Sequence, residues 1–292
     1  MPNDPQKNSQ NSRYKSSPKH QRLQARYDPQ RGSAPPEMIP LVEVGWILKA
    51  LAAVFAVALL CSYLTLCILF SRSQWQLVLH PSHTVTTTPA SLNLPFTEVH
   101  FGVDNSGLPQ LSGWWIPAST PATRTALILH AADGSVTNAL PAAQLLHSQN
   151  LNVLLFDYRG YGQSLGQHPT ETSMEADAAT ALTYLASTRS IPSASIVIYG
   201  TGLGASLAVH LCAQNPTLPA LLLQSPDGDL TDRIRQDPRS KLVPVSLFFN
   251  EPFPLSQPLT TLPTPKLILP TPADNQALTQ FLTTHLPPSL NP

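Results

Sequence analysis

The turn Gly200-Thr201-Gly202-Leu203-Gly204-Ala205 is where residue types and spacing come nearest to chemistry. It follows the apolar run SIVIY (195–199) and leads into a stretch with helical spacing. Alternating glycines allow a sharp reversal between strand and helix. The first N–H groups of the helix, led by that of Leu203, then face whatever lies over the turn. Such a terminus can hold an anion or polarise a carbonyl. A dinucleotide loop would need a third glycine, and Ser206 to His210 supply none. Four hydroxyls lie on or near neighbouring loops: Thr201, Ser206, Ser164 and Ser225. Thr201 precedes the apex of the turn, so its side chain is expected to point elsewhere. Ser206 is expected to be a small residue where helix meets sheet, and Ser164 and Ser225 to cap loops. The nine histidines and three cysteines show no metal-ligand or zinc spacing, and no cofactor is implied.

The turn needs a sheet to hold it. Residues 97–103 and 111–116 flank a turn at Asp104–Gly107 and read as a hairpin. Short apolar runs then alternate with helical stretches. Strands are expected at 126–130, 152–157, 195–199, 220–224 and 266–270. Helices are expected at 137–149, 172–187, 203–214 and 275–284, the second opened by a capping box of Thr172 and Glu175. Strands apolar on both faces with helices between them require a parallel sheet covered on both sides. The fold class is α/β, a doubly wound, mostly parallel sheet.

Ahead of it, residues 50–70 form 21 positions without a charge, flanked by Trp46 and Trp75, with Lys49 at the near end. At 1.5 Å per residue they span about 31 Å, the thickness of a hydrocarbon core. A signal peptide would have a shorter apolar run. The division expected is a disordered cytoplasmic tail over 1–44, a transmembrane helix over 45–72 and the α/β domain over 73–292. Residues 1–72 carry nine Lys and Arg against four Asp and Glu, whereas 73–292 carry eight against thirteen. The basic side should stay in the cytoplasm, leaving the main domain outside. The acidic balance of that domain argues against a nucleic-acid partner. Cys61 and Cys67 in the span and Cys212 in a later helix read as small packing residues.

In order, PSHTVTTTPASLNLPFTEVHF (81–101), LSGWWIP (111–117), LILHAADG (127–134), FDYRGYGQS (156–164), the turn at 196–211, LLQSP (222–226) and KLILPTPAD (266–274) resemble a membrane-anchored α/β hydrolase. The family resembled includes esterases, lipases and acyl thioesterases. The resemblance implies an elbow Gly-x-Ser-x-Gly, an oxyanion loop His-Gly-x-x-Gly, an acid and a late histidine. Here Gly202 stands at the nucleophile position and Ala131 at the first oxyanion glycine, with Ala132 and Leu203 left to form the pocket. Asp274 fits the acid position. The family's final strand delivers its histidine some 25–30 residues after the acid, and only 18 residues follow Asp274 here. His285 comes 11 residues on, inside a helical stretch, and His130 resembles the histidine that orders the oxyanion loop. Glycine cannot form an acyl-enzyme. The resulting expectation is a membrane-tethered hydrolase-like protein without turnover. It would bind a small acyl ligand or a protein partner, and its sheet would lack the last strand. A truncated gene would account for that lack. The alternative is an active ester hydrolase that recruits Thr201 or another residue as nucleophile and His130 or His285 as base.

Overall fold

The computed structural model describes residues 43–236, 251–271 and 273–286, so the expected tail lies almost wholly outside the described residues. Two units divide the chain, residues 1–59 and 60–292, and the first long helix crosses their boundary.

That helix is α1 (Val44–Ser73). It is long and apolar enough to cross a membrane. Residues 44–66 are exposed almost without interruption on every side. A core helix would instead bury an apolar stripe. Near its end Cys67 is buried and Phe70 packs on the core of the larger unit.

A short strand β1 (His80–Pro81) follows, then the hairpin β2 (Thr97–Val103) and β3 (Pro109–Ile116). Next come β4 (Thr125–Leu129), β5 (Asp133–Gly134), α2 (Leu140–Ser148), β6 (Asn152–Asp157) and α3 (Glu171–Thr183). The chain continues through β7 (Ile196–Gly202), α4 (Gly204–Gln214), β8 (Ala220–Pro226), α5 (Leu230–Gln236) and α6 (Ser256–Thr261). It closes with β9 (Lys266–Leu269) and α7 (Asn275–His285).

Seven strands form one sheet in the order β2-β3-β6-β4-β7-β8-β9. β2 and β3 pair antiparallel and the other five strands run parallel to one another. Their side chains alternate between two cores, as the two-residue period of a strand demands. Leu127, Leu129, Leu154, Phe156, Ile196, Ile198, Leu221 and Leu223 join α3 and α4 on one face. Ala126, Ile128, Val153, Leu155, Val197, Tyr199, Ala220 and Leu222 join α2 and α7 on the other. This is the doubly wound α/β sheet expected. Among the described residues no strand follows β9, which forms one edge.

Local details differ from expectation. The capping box opening α3 is built by Thr170 and Ser173, not Thr172 and Glu175. The helix starts one residue earlier, and Glu175 pairs with His210 at 3.1 Å instead. Helix 137–149 opens as a 3-10 turn over Val136–Ala139, with Pro141 in the first turn of α2, where a missing N–H costs no hydrogen bond. α3 ends at Thr183 and one π-type turn carries the chain on to Thr188. α5 and α6 had no periodic signal, being short and rich in polar residues.

Candidate functional site

β4 is flanked by β6 on one side and β7 on the other, so the chain winds in opposite directions from it. Sheets of this kind bind ligands at such a switch, beyond the carboxyl ends of the strands. The loop after β4 and the turn after β7 meet there.

The turn keeps the shape of a nucleophile elbow. Strand pairing runs to Gly202, which pairs with Pro226 across an irregularity in register, and α4 begins at Gly204. Gly202 has φ +55°, the left-handed region that costs a side-chain-bearing residue about 1–2 kcal/mol. Leu203, buried, is the cap residue of α4, and the carbonyl of Leu203 accepts the Ser206 N–H at 3.0 Å. At Gly204 a side chain would run into the backbone oxygens of Leu129 and His130, so close contact of helix and β4 requires glycine.

Opposite the apex stands Ala131. A Cβ placed on residue 202 would lie 2.8 Å from the Ala131 Cβ and 3.4 Å from an Asp227 carboxylate oxygen. The Ala131 methyl thus fills the room that a serine at 202 would need. Residues 131 and 202 are sterically complementary.

The loop around Ala131 and Ala132 is clamped through its carbonyls. Tyr158 Oη donates to the His130 oxygen at 3.3 Å, and Tyr161 Oη donates to the Ala132 oxygen at 2.8 Å. The N–H of His80 reaches the same Ala132 oxygen at 3.1 Å, and Ser82 N–H donates to the Gly134 oxygen at 2.7 Å. β1 pairs with β5, and His80 Nδ1 meets Asp133 Oδ1 at 2.7 Å. The chain leaving α1 is therefore laid directly along the oxyanion loop.

His130 sits beneath it. Its Nδ1 lies 2.8 Å from the Ala131 carbonyl, which can only accept, so Nδ1 carries the proton. Nε2 is buried without a hydrogen-bond partner. The ring packs on Tyr158 and Tyr161, with centroids 4.4 and 5.2 Å away. Burial pushes its pKa down to about 4 against a partial upward pull from the Ala131 carbonyl, so the imidazole is neutral near pH 7.

The other expected residues lie elsewhere or are otherwise engaged. Asp274 is the N-cap of α7, its Oδ1 accepting from Gln276 N–H at 2.9 Å and Ala277 N–H at 3.1 Å. His285 lies in the last turn of α7 against the Phe281 ring. Thr201 lies within β7, paired with Gln224 of β8. Ser206 donates to the Pro254 oxygen at 2.7 Å. Ser164 donates to the Asp157 oxygen at 2.6 Å and accepts from Ser112 N–H at 2.9 Å. Ser225 shares a 2.8 Å hydrogen bond with Thr271. Cys212 is buried, and desolvation pushes its thiol up to about 12. Among the described residues no three metal-ligating side chains gather.

Asp227 belongs to none of the sequence motifs above. Its N–H donates to the Gly202 oxygen at 3.1 Å, and its carboxylate reaches the apex. Its position just past the carboxyl end of β8, where the switch-point rule looks for ligand contacts, was the available signal.

A central parallel sheet, an elbow at the switch point and an oxyanion loop facing it define an α/β hydrolase. A family model described as serine aminopeptidase, S33, matches residues 120–280, more than half of the chain, and the chain belongs to that family. It is 34% identical over 187 residues to the uncharacterized protein Rv2307c of Mycobacterium tuberculosis, which covers 63% of this chain and 64% of that one. It is 35% identical over 122 residues to protein bem46 of Schizosaccharomyces pombe, over 41% of this chain and 40% of the relative. The chain thus matches less than two thirds of the length of either relative. The structure of the Pyrococcus furiosus esterase PF2001 superposes with a TM-score of 0.54 at 18% identity, over 72% of this chain and 99% of the esterase. At that identity the likeness is one of fold.

Proposed function

We propose that this chain is a membrane-tethered α/β-hydrolase-fold protein that binds at its former active site without turning over an ester. One observation carries the reading: Gly202 occupies the apex of an intact elbow. No oxygen nucleophile can be presented there, so no acyl-enzyme can form. The surroundings agree. Ala131 closes the space of the missing side chain, Asp274 is spent on capping α7, and His130 is turned toward its own loop carbonyl. Removing a whole triad leaves only about 10³–10⁴-fold over water, from oxyanion stabilisation and binding.

The retained backbone donors at the start of α4 suit a carbonyl or carboxylate, so the ligand class is a small acyl compound. Full-length protein in membranes, treated with a fluorophosphonate bearing a fluorophore, should remain unlabelled. Robust labelling of any serine or threonine in the domain would sink the proposal. We place the N-terminus in the cytoplasm and the α/β domain outside, from the excess of Lys and Arg ahead of α1. Protease added to intact cells should then digest the domain; complete protection would reverse the orientation.

A further inference from the structure

We propose that the carboxyl end of the sheet, the end bearing the elbow, rests on the surface of the bilayer that α1 enters. The inference builds on the anchoring reading and adds which face of the domain meets lipid. Two independent observations carry it.

The first is the tether. The apolar run ends at Phe70, α1 ends at Ser73, a 3-10 turn covers Gln74–Leu77, and His80 already pairs with Asp133 of the oxyanion loop. Ten residues that are mostly helical reach about 20 Å at most. The chain also stays fixed along the way. Trp75 stacks on His168 with centroids 5.2 Å apart, Leu79 is buried, and Gly162 N–H donates to the Ser82 oxygen at 2.9 Å. With so short and well-held a tether, the domain cannot turn its elbow end away from the bilayer without breaking these contacts.

The second is the distribution of apolar surface. Outside α1, the large apolar side chains exposed among the described residues are Val103 (68%), Leu108 (57%), Leu165 (52%) and Ile268 (55%). Three of them cluster at the elbow end. Val103 and Leu108 flank the β2–β3 turn, where Val103 pairs with Pro109. Ser112 pairs with Asp157, the last residue of β6, so the earlier part of β3 and its turn project beyond the carboxyl ends of the strands. Leu165 lies on the loop leaving β6, and its N–H donates to the Gln110 oxygen at 2.8 Å. Solvent-facing leucines at a hairpin tip and a neighbouring loop suit the interfacial layer of a membrane. Zwitterionic lipid is the occupant we name, because the domain carries more acidic than basic residues.

The test uses the full chain in phosphatidylcholine vesicles with Cys61→Ala, since Cys67 and Cys212 are buried. A fluorophore is attached at Leu108→Cys, Leu165→Cys or Thr123→Cys, the last being an exposed position at the opposite end of the sheet. Lipid spin-labelled near the headgroup should quench the labels at 108 and 165 at least three-fold more than the label at 123. Equal quenching at the three sites, in protein that still resists carbonate extraction, would overturn the orientation while leaving the anchor standing. Release by carbonate would overturn the anchoring reading, and this one with it.

Discussion

The loop after β6 and the turn after β7 stand one strand apart at the same end of the sheet, and they are held by opposite means. The loop after β6 is held by its side chains. Asp157 is buried and accepts from Val136 N–H at 2.8 Å and Gln163 N–H at 3.4 Å. Burial raises its pKa to about 6, against the lowering effect of those two donors. Arg159 Nε donates to the buried Asp177 at 2.6 Å, and Arg159 N–H donates to the same carboxylate at 2.8 Å. The turn after β7 is held by its backbone, with a glycine at the apex and a methyl opposite it. A buried polar network cannot lose one member cheaply, because its partners are left without hydrogen bonds. A glycine at the apex of the turn leaves no buried partner without a hydrogen bond, so the fold accommodates it.

That contrast can be tested by mutation. Asp177→Ala should have the largest effect, because it leaves Arg159 and its N–H facing an empty, buried position. A loss of about 3 kcal/mol is expected from urea unfolding, at the low end for a broken buried pair because Arg159 is partly exposed. A change under a quarter of that would mean the network is not structural.

Gly202→Ser comes next. It meets both a left-handed φ and the Ala131 methyl, and should cost about 2–4 kcal/mol. Adding Ala131→Gly should return about 1–2 kcal/mol, and the double-mutant cycle measures the coupling. Additive effects would show that the two positions are energetically independent.

The smallest effect belongs to Asp274→Ala. Loss of an N-cap should cost about 1 kcal/mol by thermal unfolding, with no further change in reactivity. A loss of esterase activity on this substitution would return Asp274 to the acid's role and refute the non-hydrolytic reading.

Much of this could be read along the chain. Buried parallel strands must be apolar on both faces, so β4, β6, β7 and β8 stood out as unbroken runs. The length and composition of α1 were equally plain. That residue 202 is a glycine needed only the order of residues, since glycine has no side chain in any conformation. What tertiary structure alone decided was where the surviving groups point. That Asp274 caps α7 follows only from the approach of the Gln276 and Ala277 N–H groups to its carboxylate. His130 ends an apolar strand in the sequence, and only the fold sets it against two tyrosines and a loop carbonyl. Asp227 is adjacent to the apex because β8 pairs with β7, an encounter 25 residues apart in sequence. The fit between Ala131 and Gly202 likewise depends on packing β4 against β7. Sequence periodicity reports which residues are buried, but the contacts between loops at the ends of strands carry no periodic signal and exist only once the sheet has formed.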